Sequence, residues 1–304
     1  MCLSNEIFIN PFTDFGFKRI FGEEESKPIL ISFLNDLLPI EDKIETITFQ
    51  NTEKFGATPE DRKAIYDLYC IDEKGRDFIV ELQRAEQRFF IDRALYYTTF
   101  PIQSQATRGI WNFELKPIYF VGILNFEVDE FKDDNYIHHC QIVDMKSKEK
   151  VSDKLNFIYI EIPKFKKRKE ELSKHLEWWL YYLRDLNKLR EIPKEIKGDI
   201  LEEAFKRAEF LKLSSKEQHN YHINLKHYRD WVNTIDTATW KGKVEGIKEG
   251  KIEGEKVGLK KGEKQAKIEI AKKLLQQKID LNIITISTGL TIEEIEELKI
   301  KEEK

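Results

Sequence analysis

The spacing of apolar residues over the first 165 positions alternates between a helical period and a strand period. A first helix is expected to begin at Thr13 or Asp14 and to end at Gly22. The run at 117–124 is almost wholly apolar, which is typical of a strand buried on both faces of a sheet. The pattern predicts further helices at 26–38 and 86–99, the latter kinked or ended by Pro101, and further strands at 44–49, 64–72, 76–83 and 156–162. This order of elements predicts an α/β core in which helices flank both faces of a mixed central sheet.

The segment 64–83 predicts a β-hairpin, because two β-rich runs flank a short polar turn. A loop at 73–75, with Gly75 in the left-handed conformation, places Asp67 opposite Glu81. Directly paired residues share a face with Cβ atoms about 4.5–5.5 Å apart, and Gln83 lies further along that face. Two carboxylates among apolar neighbours are costly unless a positive charge lies between them. We therefore expect a divalent cation here, and hard Mg²⁺ suits a site with few carboxylates.

Beyond residue 165 the pattern predicts mainly helices. The expected helices are an amphipathic one at 170–190, ended by Pro193, and two more at 199–212 and 217–234. Histidines at 219, 222 and 227 have neither cysteines nor clustered acids beside them, so they do not predict a metal site. The composition predicts three domains: a core at 1–165, a helical extension at 166–235 and a charged helical tail at 236–304.

Two groups of cations have more than one interpretation. The basic run at 164–169 suits either a phosphate backbone or a solvated helix start at a domain boundary. Arg93 lies on the predicted helix after the hairpin. One interpretation is that it contacts a phosphate or a carboxylate of the site, and the other is that it forms a surface salt bridge. The candidate nucleic-acid contacts are therefore Arg93, Lys166, Lys167, Arg168 and Lys169.

The tail contains a glycine repeat. Six glycines recur every four residues from Gly242 to Gly262, among lysines and glutamates. On a helix such a row forms an oblique groove that a second helix can approach closely. Residues 241–304 are thus a candidate surface for homo-oligomerisation, although a flexible repeat without a partner explains the same pattern. Short amphipathic helices follow, and Thr291 and Glu294 form a capping-box pattern.

Composition narrows the possible classes of protein. The chain has 304 residues, of which 35% are charged and 40% hydrophobic. The hydrophobic content is enough to form a core. Its net charge of −4 counts mildly against nucleic-acid binding, although a local patch and a bound metal can supply a positive field. No apolar stretch is long enough for a membrane span, and the first ten residues do not resemble a signal peptide, so we expect a cytoplasmic protein without a membrane partner.

Several motifs in a fixed order resemble one known family. An aspartate strand followed by Glu-x-Gln resembles the core of the PD-(D/E)XK nuclease superfamily, and the ordered set resembles its recombination-promoting nuclease/putative transposase (Rpn-like) branch. The resemblance covers roughly residues 8–235. The matching positions are TDFGFKRIFG at 13–22, Asp67, Glu81 with Gln83, Arg93 with Tyr96 and Tyr97, and Gln105 with Gly109 before the buried strand.

This resemblance implies a restriction-endonuclease-like fold and a metal-dependent DNA endonuclease linked to recombination or mobile elements. It implies that Asp67 and Glu81 hold Mg²⁺, with Mn²⁺ as a substitute, and that Asp14 is a motif acid directed toward the metal rather than only a helix cap. Gln83 occupies the position where the superfamily usually has a catalytic lysine. A neutral amide orients water but supplies no positive charge, so slow catalysis is expected. The alternative is a weakly active or inactive module that binds DNA or protein and oligomerises through its tail.

Overall fold

The computed structural model describes residues 6–54, 64–106, 109 and 111–302. The chain forms two units, Met1–Tyr228 and Arg229–Lys304. The helices are α1 Asp14–Phe21, α2 Lys27–Leu37, α3 Phe90–Ser104, α4 His175–Asp185, α5 Ile200–Ala208, α6 Ser215–Gln276, α7 Leu281–Thr288 and α8 Ile292–Glu302. The strands are β1 Ile47–Phe49, β2 Glu53–Lys54, β3 Ala64–Ile65, β4 Leu68–Asp72, β5 Asp77–Gln83, β6 Ile118–Leu124, β7 Ile137–Val143 and β8 Lys150–Glu161.

Six strands form one mixed sheet in the order β1-β4-β5-β6-β8-β7. β5, β6 and β8 run parallel to one another, whereas β1, β4 and β7 each pair antiparallel with their neighbours. The predicted mixed α/β sheet is therefore confirmed. The hairpin register is confirmed too, because Leu68 pairs with Val80 and Cys70 with Phe78, and Gly75 has the expected positive φ of 76°.

Helices cover both faces of this sheet. On one face, Phe21 of α1, Phe33 of α2 and Trp179 of α4 pack into the main core with strand residues such as Phe78. On the other face, Phe90 of α3 packs in a second cluster with aromatic strand residues. Residues on both sides of position 165 share the main core, so the predicted domain boundary there lies inside the first unit.

The helix after the hairpin differs from its prediction at both ends. It begins at Phe90 rather than at 86, and it continues through Pro101 to Ser104. Proline normally interrupts a helix because it leaves the carbonyl four residues earlier without a donor. Here that carbonyl belongs to Tyr97, and it accepts a hydrogen bond from the Tyr66 hydroxyl at 3.0 Å. The tertiary partner replaces the missing bond, so the helix does not end.

The last part of the sheet was only partly predicted. The strand expected at 156–162 is the end of the longer β8, and β7 pairs with it as an additional edge strand. β7 has the sequence IHHCQIV and is largely exposed toward its end. An edge strand with a solvated face needs no continuous apolar run, which is why the sequence pattern did not indicate it.

The second unit contains a small helical cluster. Ala271, Ile284, Leu290 and Ile295 form its buried core. The predicted capping box is present, because the Thr291 and Glu294 side chains each accept a hydrogen bond from the backbone N–H of the other residue. The helix predicted to end at 234 instead continues as α6 to Gln276. Among the described helices, none is both long and apolar enough to cross a bilayer.

One half-buried contact joins three helices of the first unit. His175 of α4 contacts Asp36 of α2 through Nδ1, and Asp199, the N-cap of α5, through Nε2 at 3.0 Å. Burial lowers the pKa of His175, but the hydrogen bonds with the two carboxylates outweigh it, so the net pKa is above its usual 6.5. The protonated ring is therefore the form that the folded state favours.

We expect His175→Gln to remove a pH-dependent part of the free energy of unfolding. A raised folded-state pKa stabilises the protein fully below pH 6.5, and this contribution is lost as the pH rises through the folded-state pKa. Urea unfolding of both proteins across this range measures the difference. His227→Gln, at an exposed position, is the matched control. A constant difference between wild type and His175→Gln at every pH would contradict the expectation.

Candidate active site

The two predicted carboxylates lie side by side at one end of the β4–β5 hairpin. Asp67 directly precedes β4, and Glu81 is near the end of β5. The Glu81 Oε1 accepts a hydrogen bond from the Asp67 backbone N–H at 3.0 Å, and the Asp67 Oδ2 accepts one from Leu82 N–H at 2.7 Å. Each carboxylate is thus fixed by the backbone of the opposite strand.

Gln83 lies beside this pair, as its place on the same strand face requires. Its Nε2 donates a hydrogen bond to Glu81 Oε2 at 3.3 Å. The side chain is half-buried, and its amide oxygen has no partner among the described residues. That oxygen is available to accept a hydrogen bond from a water molecule.

Burial perturbs the titration of both acids. Glu81 is only 3% exposed, and burial, followed by the charge of Asp67, raises the pKa of Glu81 to about 8. Burial also raises the pKa of Asp67, against the Leu82 N–H hydrogen bond, which lowers it. Two adjacent acids with raised pKa values are a feature of functional sites, because the fold holds them where neither ionises easily.

Three cations surround the pair electrostatically. The charges of Lys18 and Arg84 lower the pKa of Asp67, and the charge of Arg93 lowers that of Glu81. Arg84 was not predicted as a site residue. Its place directly after the Glu-x-Gln motif was the available signal, since a residue at the end of β5 stays near the strand's last side chains. The positive charge that Gln83 lacks is therefore present on neighbouring residues.

Asp14 lies close to this group but is bonded to one of its cations. The Thr13 hydroxyl caps α1 by accepting a hydrogen bond from Gly16 N–H at 2.9 Å, so Asp14 is the first helical residue and not the cap. Its exposed carboxylate forms an ion pair with Arg84.

A Cβ atom at Gly16 would lie 2.1 Å from the Asn10 carbonyl oxygen, so glycine is required for this close approach of α1 to the preceding turn.

Arg93 has an unsatisfied donor. Its Nη1 contacts Gln87 Oε1, and its guanidinium lies over the rings of Phe90 and Tyr97. Its Nη2 is buried and has no hydrogen-bond partner within the described part of the chain. A buried donor without a partner is costly, so hydrogen bonding among the described residues does not explain the position of Arg93.

The basic run after β8 is largely neutralised by ion pairs. Lys167 pairs with Glu177 at 2.5 Å and Lys169 with Glu195 at 3.0 Å. Arg168 pairs with Glu171 at 3.3 Å. These pairs reduce the charge that the run can offer to a nucleic acid. Lys166 instead lines a surface cavity with Lys164 and several acids of the 127–134 segment.

The donors at the site suit a hard divalent cation. The carboxylates of Asp67 and Glu81 and the amide of Gln83 offer only oxygen ligands, which Mg²⁺ prefers. Within the described residues, no third histidine, cysteine or acid joins them to form a closed metal cage. Mg²⁺ usually keeps several waters and is held by one or two carboxylates, so the two acids fit such an open site.

The cost of burying Glu81 predicts that the metal-free protein is stabilised by Glu81→Gln. Wild type should lose free energy of unfolding as the pH rises from 4.5, the usual carboxyl pKa, to about 8, because the folded state holds the proton longer than the unfolded state. At pH 8 in EDTA the variant should be more stable by at least about 1 kcal/mol, since one pKa unit corresponds to about 1.4 kcal/mol. Thermal unfolding at both pH values measures this.

The matched control is Glu161→Gln, the same change at another buried glutamate. Glu161 accepts hydrogen bonds from His138 Nε2 and Lys164 Nζ, both at 2.7 Å. Removing its charge leaves the Lys164 ammonium without its carboxylate, so this variant should be less stable than wild type. If both substitutions lower the stability, the burial of the Glu81 carboxylate is not costly and the expectation is contradicted.

Comparison with known proteins agrees with this geometry. A model of the family described as "PD-(D/E)XK nuclease family transposase" matches residues 11–238. No curated protein and no solved structure gives a significant match to the chain. The matched span covers well over half of the 304 residues and contains the sheet, the carboxylate pair and Gln83. The chain therefore belongs to the PD-(D/E)XK nuclease family of transposases.

Proposed function

We propose that this chain is a Mg²⁺-dependent DNA endonuclease that cleaves phosphodiester bonds in recombination or in the movement of mobile elements. The observation that carries the proposal is the pair of adjacent carboxylates, the half-buried Asp67 and the buried Glu81, which are fixed by backbone hydrogen bonds and have three cations close by. A structural role does not explain two adjacent acids with raised pKa values, because burying them costs stability. Membership of a nuclease family supports the same activity.

The proposed roles follow from the contacts. Asp67 and Glu81 would hold Mg²⁺, for which Mn²⁺ would substitute. The bound ion would lower the pKa of a ligated water and stabilise charge on the phosphate. Gln83 orients the water through its free amide oxygen. The half-exposed Arg93 side chain contacts a phosphate oxygen, and Asp14 positions Arg84 through their ion pair.

The DNA path over the protein follows from the free cations. Lys18 is exposed on α1 near Asp67, and we assign it and Arg93 to the phosphates next to the cleaved bond. Lys166, Lys167, Arg168 and Lys169 remain candidates for more distant backbone contacts. Because three of them are in ion pairs, their contribution to the affinity and to its salt dependence should be smaller than that of an unpaired run.

A module that binds DNA without cleaving it is the second candidate. The amide at Gln83 favours it, because a neutral side chain supplies none of the positive charge that phosphodiester cleavage requires. Both candidates predict DNA binding, but only the nuclease requires the carboxylate pair for metal binding and strand cleavage.

Nicking of supercoiled plasmid with Mg²⁺ or Mn²⁺ tests the proposal. Asp67→Asn should lower the rate by at least about 100-fold, which exceeds the usual cost of losing a residue that only supports a ligand. Calorimetric titration with Mg²⁺ should show the same loss of binding.

The matched control is Asp77→Asn, because Asp77 is a buried acid at the end of β5 opposite to Glu81. It is bonded to the Tyr69 hydroxyl at 2.5 Å and to Gln105 Nε2 at 2.9 Å. This variant should retain nicking. No nicking by wild type, or equal nicking by wild type and Asp67→Asn, would reject the nuclease and leave the binding module.

We also propose that the glycine row of the tail mediates self-association. In the second unit, a Cβ atom at any glycine from 242 to 262 would meet nothing within 4 Å, so the groove is open to a second helix. Changing Gly246, Gly250 and Gly254 to alanine should raise helicity, since each glycine costs roughly 1 kcal/mol in a helix, but should weaken association. Analytical ultracentrifugation and circular dichroism measure the two effects.

The matched control changes Glu245, Glu249 and Glu253, the residue before each of those glycines, to alanine. At high salt, where charge pairing is screened, this variant should associate like wild type. If the glycine variant gains helicity and its sedimentation is unchanged, the repeat is only a flexible one.

A further inference from the structure

Phe89 is an aromatic residue in an unusual conformation at the surface. Its φ is 66°, in the left-handed region that bulky residues rarely adopt. The residue is 63% exposed, so packing in a core does not explain the strain. Strained residues that no local packing requires are concentrated at functional sites.

Phe89 lies within one helical turn of the candidate active site. Its carbonyl accepts the backbone hydrogen bond of Arg93 at 3.0 Å, and Arg93 is the cation that acts on Glu81. The next residue, Phe90, packs over Gly122, which is the ladder partner of Glu81. The ring of Phe89 is therefore exposed beside the place where we assign the cleaved phosphate.

A cavity opens at the same position. It has a volume of about 420 Å³ and lies between the segments that follow β5 and β6, within the range of small-molecule sites, about 300–1,000 Å³. Phe90, Phe126 and Val128 give it an apolar side. The Arg88 guanidinium lies over the Phe89 ring at 4.9 Å at its margin.

The charges of this cavity favour a base over a phosphate. Four exposed acids line it, Glu86, Asp92, Asp129 and Glu130, against one cation, Arg88. A phosphate would be repelled there. A nucleobase is neutral, stacks on an aromatic ring, and donates hydrogen bonds from its amino group to carboxylates.

We propose that Phe89 and this cavity receive an unpaired nucleobase next to the cleaved phosphate, so that the enzyme prefers DNA with an unpaired base over fully paired duplex. This inference rests on the proposed function for the identity of the nucleic acid. Inserting a base into a pocket costs the least free energy when the base is already unpaired, because no base pair has to be broken. The strained backbone of Phe89 holds the ring at the mouth of the cavity for stacking.

The test is a binding measurement with the full chain carrying Asp67→Asn, so that cleavage does not interfere. The probes are a short fluorescein-labelled duplex with one bulged cytosine and the same duplex fully paired. The parent protein should bind the bulged probe more tightly. Adding Phe89→Ala should weaken binding of the bulged probe by about 5- to 150-fold, the range for loss of one base–aromatic stack, and change paired duplex less than about twofold.

Two variants control this measurement. Phe113 is 77% exposed and also has a positive φ, but it does not line the cavity. Phe113→Ala should therefore leave the preference for the bulged probe intact. Phe89→Gly relieves the strain, so it should raise the melting temperature while it abolishes the preference. A lower melting temperature for Phe89→Gly would show that the ring is structural and would overturn the proposal.

Equal weakening of both probes by Phe89→Ala, or no preference in the parent protein, would also overturn it. Failure of the nuclease proposal gives a different result. In that case the plasmid remains intact with wild type, while the preference for the bulged probe and its loss in Phe89→Ala persist.

Discussion

The site depends on two hydrogen bonds across the hairpin, from Asp67 N–H to the Glu81 carboxylate and from Leu82 N–H to the Asp67 carboxylate. Each carboxylate accepts a backbone N–H from the opposite side of the hairpin, so the two acids cannot separate without breaking the end of the sheet. Their burial raises both pKa values. The two acids therefore lower the free energy of unfolding at one end of β5, and packing of the large aromatic cores on both sheet faces offsets this loss.

Positive charges from three separate elements of the fold compensate for this cost. Most PD-(D/E)XK sequences are expected to place a lysine where this chain has Gln83. Here Lys18 from α1, Arg84 from the end of β5 and Arg93 from α3 supply the positive field. These cations come from separate elements, so their arrangement depends on how α1 and α3 pack against opposite sides of the sheet. The site is therefore sensitive to the helical layers as well as to the hairpin.

The helical layers are held by specific polar contacts in addition to apolar packing. The Tyr66 hydroxyl carries α3 past Pro101 by satisfying the Tyr97 carbonyl, and this bond ties α3 to the residue that directly precedes Asp67. On the other side, His175 joins α2, α4 and α5 through two carboxylates. Both contacts join residues that are distant in the sequence.

The sequence by itself determined the hairpin register, the mixed sheet and the pairing of Asp67 with Glu81, because alternation and a glycine turn are local and leave one register that buries the apolar face. It did not indicate β7, the helix through Pro101, or the part played by Arg84. Nor did it show that Lys167, Arg168 and Lys169 are paired with acids. An edge strand has no apolar signature, and a rescued carbonyl or an ion pair needs a partner that only folding brings close. Tertiary structure decided these points because they depend on contacts between residues distant in the chain.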